Sequence, residues 1–154
     1  VDKRNARQPI EMFSQAGKVG PAYCTGVGKA MLAFLDEAEV EQVLPQQSFH
    51  PFTAKTLTSA QALREELVRI RTRGYAFDDE EHERGIICIA MPILTRSGRV
   101  LGALSVTSST ARTTLEGLSA LAPPLRRAAV AISEEVATWR FPDETKHAGR
   151  TGTG

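Results

Sequence analysis

A glycine-rich segment, Cys24-Thr25-Gly26-Val27-Gly28-Lys29-Ala30, stands just before a run of apolar residues with helical spacing. As a P-loop it fails because Ala30 follows the Gly-Lys pair, where the motif needs Ser or Thr, and it lacks the third glycine of a dinucleotide fingerprint. The uncovered N–H groups of Gly26, Val27 and Gly28 at a helix start would instead suit a small anion such as a carboxylate. The alternative is that these glycines only let the helix pack closely on a sheet.

An acidic segment, Asp78-Asp79-Glu80-Glu81-His82-Glu83, offers carboxylates that could bind a metal or act as an acid and base pair. A lone histidine among acids is typical of a solvated loop, and no second histidine lies at metal-binding spacing. We therefore predict no metal site and no cofactor. Asp78 adjoins a β-prone segment, so it is best placed to point inward and hold a hydroxyl or amine of a ligand. Its alternative role is to cap a turn.

Polar residues also interrupt two segments that otherwise read as apolar strands. Ser105 and Thr107 share one face of a strand by the period of two, and Cys88 shares a face with Ala90. Hydroxyls on a core-facing strand either bond to the backbone or line a pocket. If they face the helix start at Gly26, the pocket and the anion site coincide. A cysteine in a β-branched run is otherwise a small hydrophobic residue.

Thiol catalysis has weaker support than binding. Cys24 or Cys88 could act with His82, but no local pattern places a base beside either thiol. The other histidines, His50 and His147, lie in a connection and in a tail. We predict no catalytic residue.

Hydrophobic periodicity and capping signals predict the elements that would position these residues. In the first half, the pattern predicts a strand or short hairpin over Gln8–Tyr23, followed by a helix with Thr25 as its N-cap. A short helix follows, which Asp36 and Glu39 cap and which ends at Pro45. A third helix is capped by Thr58 and Gln61 and ends at Gly74. The second half reads as a three-stranded antiparallel meander of Tyr75–Phe77, Ile86–Met91 and Val100–Val106, then a helical segment from Thr113 to Trp139 that Pro123-Pro124 kinks or splits. Strands in one block with helices before and after indicate an α+β domain with an antiparallel β-sheet flanked by helices.

Composition narrows the class of protein further. The 154 residues suffice for one domain, and 19 Lys and Arg against 18 Asp and Glu leave a net charge of +1, which disfavours a basic DNA-binding module. The longest apolar run, Ile86–Leu94, has about half of the roughly 20 residues of a membrane helix and contains Pro92. Two separated cysteines and the absence of a leader before Gly20 favour the cytoplasm.

Several of these segments together resemble the effector-binding domain of IclR-type transcription regulators. The matching residues keep one order and spacing between about Gly17 and Val136: Thr25-Gly26-Val27-Gly28-Lys29-Ala30-Met31-Leu32-Ala33, Thr53 to Leu57 ahead of a helix, Arg71-Thr72-Arg73-Gly74-Tyr75-Ala76-Phe77-Asp78-Asp79-Glu80-Glu81, Cys88-Ile89-Ala90-Met91-Pro92, and Leu104-Ser105-Val106. A combination of this length is far more specific than any one motif.

The resemblance implies a GAF-like domain that senses a small-molecule effector, often a carboxylic or aromatic acid, in a bacterial regulator. It implies promoter DNA binding through a separate N-terminal winged helix-turn-helix, and a homodimer or dimer of dimers. Ligand contacts of the family carry over to Gly26, Val27, Asp78, Cys88, Ser105 and Thr107, and the anion site adds Gly28. Cys24 stands where the family often has His, Val27 where Ala is common and Thr107 where Ser is frequent, so no relative's ligand is transferred.

We therefore expect an effector-binding domain over residues 1–140, without its first elements and its helix-turn-helix, and a disordered tail over residues 141–154. Two other hypotheses stay open: a thiol enzyme on a GAF-like scaffold, and a dimerisation module with a vestigial pocket.

Overall fold

The computed structural model describes residues 20–139 together with Asp2, Arg4 and Arg7. Its elements are a 3-10 turn Ala22–Cys24, α1 Gly26–Ala33, α2 Glu37–Val43, a 3-10 turn Leu44–Gln46, α3 Ala60–Arg73, β1 Ala76–Asp79, β2 Ile86–Leu94, β3 Val100–Ser109, α4 Leu115–Ser119 and α5 Ala122–Thr138. This order confirms the predicted α+β domain, in which helices flank an antiparallel sheet.

The three strands form one antiparallel sheet in the order β1-β2-β3. Asp78 on β1 lies opposite Cys88 on β2, which lies opposite Thr107 on β3, so these three side chains form one row across a single face. The adjacent row on that face comprises Ala76, Ala90 and Ser105. The predicted meander is therefore confirmed.

Each face of the sheet covers its own apolar core. On the face that carries the Asp78 row, Ala76 and Ala90 pack with buried residues of the first three helices, among them Ala30, Leu63 and Ile70. The small alanines let α1 approach the sheet closely, as the packing of a helix on a sheet requires. The opposite face carries larger residues, and it packs against α4 and α5 through Ile87, Ile89, Met91, Leu118, Leu125 and Ala129.

Strand β2 continues three residues past the predicted end at Met91 and includes Pro92. A proline lacks the N–H that a central strand would donate. Within the described residues β1 pairs only with Ile87 to Ala90, so Pro92 has a strand neighbour on the β3 side alone, where it lies opposite Ala103. Among the described residues, no strand on the other side of β2 requires that donor at this position.

Two of the predicted helix boundaries are confirmed. At the start of α2, the side chain of Glu39 accepts a hydrogen bond from Asp36 N at 3.1 Å, completing a capping box. At the end of α3, Gly74 has a φ of 89°, in the left-handed region that favours glycine, and its N–H bonds to Ile70 O.

The predicted start of the third helix was wrong by one residue. Ser59, not Thr58, precedes α3, and its hydroxyl accepts a hydrogen bond from Ala62 N at 3.1 Å. The Thr58-Gln61 pair has the spacing of a capping box, but so short a pattern does not distinguish adjacent hydroxyl residues.

The predicted strand or hairpin over Gln8–Tyr23 lies mostly outside the described residues, and its end was wrong. Ala22–Cys24 forms a 3-10 turn, and Tyr23 and Cys24 are both buried. A strand would point these neighbours to opposite faces, whereas the turn buries both beside α1. The hydroxyl of Thr25 donates to Pro21 O at 2.8 Å and closes the turn.

The last helical segment splits at its prolines, as predicted. Thr114 caps α4 by accepting from Gly117 N at 3.1 Å, and a proline stands in the first turn of α5, where no N–H donor is needed. Trp139 follows as the C-cap of α5. The predicted tail over residues 141–154 lies outside the described residues. Within residues 20–139, none of the helices combines the length and the apolar character that spanning a bilayer requires.

Candidate ligand-binding site

The start of α1 lies directly against the face that carries the row of Asp78, Cys88 and Thr107. A Cβ added to Gly26 would lie 2.4 Å from Cys88 Sγ and 3.3 Å from Ala90 Cβ, both closer than ordinary contact. The close-packing role considered for the glycines is therefore real at Gly26. The same close approach brings the first N–H groups of the helix to the polar row.

The three residues of the predicted anion site have different surroundings. The first intrahelical hydrogen bond runs from Lys29 N to Thr25 O, so the N–H groups of Gly26, Val27 and Gly28 precede the helical ladder. Thr25 makes no side-chain cap. Gly28 contacts the preceding turn rather than the sheet, since a Cβ added to it would lie 2.5 Å from Ala22 Cα. Val27 is half-buried and packs against the core on the face of the Asp78 row.

Asp78 is the acidic group of the row, and it is buried with 7% of its surface exposed. Its Oδ1 accepts a hydrogen bond from Glu81 N at 2.8 Å. Burial raises the pKa of Asp78 to about 7, and the negative charge of Glu81 acts in the same direction. The hydrogen bond from Glu81 N and the positive charge of Lys29 oppose this rise. The carboxyl group is therefore poised to exchange a proton near neutral pH.

The strand residues of the site differ in exposure. Cys88 is buried, Thr107 is half-buried and Ser105 is exposed. Ser105 shares the face of Thr107 but lies open to solvent on β3, an edge strand of the described sheet. The structure thus brings together Gly26, Asp78, Cys88 and Thr107, with Ser105 at the open side of the same face.

The acidic segment, which begins in β1, is not the solvated loop that the sequence indicated. Asp78 and Glu81 are buried, and Glu81 forms an ion pair with Lys29, which has 2% of its surface exposed. Asp79 and Glu80 lie nearer the surface, and each accepts from Lys55 Nζ at 3.0 Å. Within residues 20–139, no three potential metal ligands come together.

The Lys29–Glu81 pair is the feature of the site that sequence reasoning missed. Lys29 appeared only as part of a failed P-loop pattern, and Glu81 only as one acid among several. A weak signal was available, because Lys29 adjoins Ala30 and belongs to the first turn of a helix whose other residues are small or apolar. A charged residue there must find a partner when the helix start is buried.

Neither cysteine has the surroundings of a reactive thiol. Burial raises the pKa of Cys24 to about 12, with the negative charge of Asp78 as the next cause. Burial also raises the pKa of Cys88 to about 12, although the N–H groups of Asp78 and Gly26 face its sulfur and lower it in part. The thiolate that a nucleophile needs is therefore scarce at neutral pH, which contradicts the thiol-enzyme hypothesis.

A separate cleft of about 440 Å³ opens at the outer edge of β1. The Lys29–Glu81 pair forms part of its lining, together with Lys55, Glu66, Arg73 and Asp79. These four residues are ion-paired, Lys55 with Asp79 and Arg73 with Glu66. The pair therefore lies between this cleft and the Asp78 row.

Comparison with known proteins identifies the family of this chain. Residues 1–134 match the family described as "Bacterial transcriptional regulator IclR C-terminal". The chain belongs to this family. The regulator KdgR of Escherichia coli K12, named as an HTH-type transcriptional regulator, is 35% identical over 142 residues, which cover 92% of this chain and 54% of KdgR.

Solved structures of IclR-family proteins share the fold. The crystal structure of the Thermotoga maritima IclR superposes with a TM-score of 0.82 at 35% identity, covering 88% of this chain and 55% of that chain. A double mutant of the PobR inducer-binding domain from Acinetobacter, in a complex with 3-hydroxybenzoic acid, has a TM-score of 0.68 at 32% identity, covering 73% of this chain and 67% of that one.

These matches confirm the resemblance drawn from the sequence. They place the chain among transcriptional regulators rather than enzymes. Within this family the chain is an IclR-type effector-binding domain. The chain spans about half the length of the curated relatives it matches.

Proposed function

We propose that this IclR-type domain binds a small organic acid beside the contact of the α1 start with the sheet, where the polar row adjoins the first N–H groups of the helix. The observation that carries the proposal is the contact of Gly26 with Cys88, which brings helix N–H groups outside the helical ladder to the face of Asp78 and Thr107. A carboxylate suits such a helix start because the N–H groups and the helix dipole both favour negative charge.

The polar remainder of the ligand would meet the row itself. The carboxyl of Asp78 and the hydroxyl of Thr107 lie on either side of Cys88, and Ser105 lies at the open side. A carboxylic acid that also carries a hydroxyl or carbonyl group fits this distribution. The complex of a double mutant of the PobR inducer-binding domain with 3-hydroxybenzoic acid supports this class of ligand.

We further infer that ligand binding changes the DNA affinity of a linked winged helix-turn-helix, in a homodimer or dimer of dimers located in the cytoplasm. The ligand can do so only if it binds two arrangements of the subunits with different affinity. Sedimentation of the chain with and without bound acid measures the oligomeric part of this inference. A chain that is monomeric at all concentrations contradicts it.

The site is tested by calorimetry with a panel of small acids, including pyruvate and 3-hydroxybenzoate. Asp78→Asn keeps the acceptor for Glu81 N but removes the acid, Ser105→Ala removes a hydroxyl, and Thr107→Val does so without a change of shape. We expect each to weaken binding of the acid that the unmodified chain binds. Ser108→Ala is the matched control because Ser108, opposite Ile87, points to the other face.

Equal binding by the three site variants would refute this pocket. No binding of any acid by the unmodified chain would favour a dimerisation module whose pocket is vestigial.

A further inference from the structure

Lys29 and Glu81 form a buried ion pair between α1 and the loop that follows β1. Lys29 Nζ donates to Glu81 Oε1 at 2.8 Å and to Oε2 at 2.5 Å, and the side chains are 2% and 7% exposed. The two charges cancel, so the pair adds no net charge that would attract an anion. Its contribution to a binding site must therefore be geometric.

Glu81 is also the residue that orients Asp78. Its backbone N–H donates to Asp78 Oδ1 at 2.8 Å, and its Oε2 accepts from Asp79 N at 3.1 Å. Thr56 fixes the same residue from outside, since its hydroxyl donates to Glu81 O at 2.6 Å. A chain of hydrogen bonds therefore runs from α1 through Glu81 to the carboxyl group of the proposed site.

A contribution to folding stability does not by itself explain why the chain has a buried ion pair here. Removing two charges from water is costly, and well-packed apolar residues often replace a buried ion pair without loss of stability. A bidentate pair differs from apolar packing in that it defines direction and distance between its two elements. Here the two elements carry the two halves of the proposed site, the helix start and Asp78.

We propose that Lys29 and Glu81 are positioning residues that hold the Asp78 carboxyl at a set distance from the N–H groups of α1, and that this spacing determines the affinity for a small acid. The proposal rests on the proposed function for the ligand, but the placement of Asp78 can be measured without one. Neither residue needs to touch the ligand.

The first test replaces both charges, in Lys29→Met/Glu81→Met, so that no unpaired charge remains buried. Thermal unfolding establishes that the variant folds, and calorimetry measures 3-hydroxybenzoate and pyruvate. We expect at least a tenfold loss of affinity for the acid that the unmodified chain binds. A folded variant that binds this acid with unchanged affinity overturns the proposal.

The second measurement is the titration of Asp78 by carboxyl 13C NMR, and it needs no ligand. The groups that affect this titration are Lys29, Asp79 and Glu81, and the hydrogen bond from Glu81 N lowers the pKa of Asp78. In the double variant the opposing charges of Lys29 and Glu81 disappear together, so we expect the pKa of Asp78 to rise because this hydrogen bond is lost. An unchanged pKa overturns the proposal, whether or not the chain binds an acid.

The matched control is Arg64→Met/Glu41→Met. Arg64 and Glu41 also form a two-contact pair, at 2.9 and 2.7 Å, but they join α2 and α3 on the surface. We expect this control to change neither the acid affinity nor the pKa of Asp78.

If Lys29→Met/Glu81→Met does not fold, Glu81→Gln is the second variant. It retains one acceptor oxygen and loses the second contact with Lys29, so we expect a weaker but measurable loss of affinity. The pKa of Asp78 is not a readout for this variant, because losing the negative charge of Glu81 by itself lowers that pKa. A folded Glu81→Gln variant with unchanged affinity overturns the proposal.

Discussion

Gly26→Ala tests the close approach of the first residue of α1 to the sheet. The new Cβ would lie 2.4 Å from Cys88 Sγ, about 1 Å inside ordinary contact, and 3.3 Å from Ala90 Cβ. Overpacking of this kind costs about 1–3 kcal/mol, whereas alanine recovers about 0.5–1 kcal/mol of backbone entropy relative to glycine. We expect a net loss of about 1–2 kcal/mol in the free energy of unfolding.

Thermal and urea unfolding measure this loss. For a chain of this size, about 1–2 kcal/mol corresponds to a fall in Tm of about 2–8 °C. Gly102→Ala in β3 is the matched control, because a Cβ there meets nothing within 4 Å. We expect it to be neutral or slightly stabilising.

Cys88→Ala removes the sulfur that obstructs the new Cβ, so Gly26→Ala/Cys88→Ala forms a double-mutant cycle. We expect the double variant to be more stable than the sum of the single changes by about 0.5–1.5 kcal/mol. Strict additivity, or a Gly26→Ala variant as stable as Gly102→Ala, would refute the contact of α1 with Cys88 and with it the geometry of the proposed site.

Three other predictions concern protonation, capping and thiol chemistry. Because the pKa of Asp78 is raised to about 7, binding of a carboxylate should be accompanied by uptake of a proton, and the affinity for the carboxylate should be level below pH 6 and fall by up to about tenfold per pH unit above pH 7. Calorimetry in buffers of different ionisation enthalpy measures the number of protons taken up. An affinity that stays level to pH 9 contradicts the raised pKa of Asp78 in the site. Ser59→Ala should lower the free energy of unfolding by about 1 kcal/mol, and Thr58→Ala should leave it nearly unchanged; urea unfolding of the pair decides which hydroxyl caps α3. Cys24 and Cys88, with pKa values raised to about 12, should react with iodoacetamide far more slowly in the folded chain than in urea at pH 7.5; rapid labelling of either folded thiol would contradict its burial.

Local signals were sufficient for most of the secondary structure. The capping box of Asp36 and Glu39, the left-handed stop at Gly74 and the order of the three strands in the meander were predicted from patterns a few residues long. Such features depend on nearby backbone groups, so the sequence around them carries the information. The turn at Ala22–Cys24 was missed because its conformation depends on the burial of two neighbours against α1.

From sequence patterns, site residues could be grouped only where they lie in the same secondary-structure element. The period of two placed Ser105 and Thr107 on one face, and the resemblance to a family named the same positions. The exposure of Ser105 could not follow from periodicity, because it depends on which strand lies at the edge of the described sheet.

The amino-acid sequence by itself determined the family, the α+β class and the helix start with its glycines, since each depends on residue types in a local order. Only the tertiary structure decided that Lys29 pairs with Glu81, 52 residues away, and that Gly26 lies against Cys88. The physical reason is that burial is a property of the packed chain: a lysine reads as a surface residue until the sheet, the helix start and the loop after β1 exclude water from it.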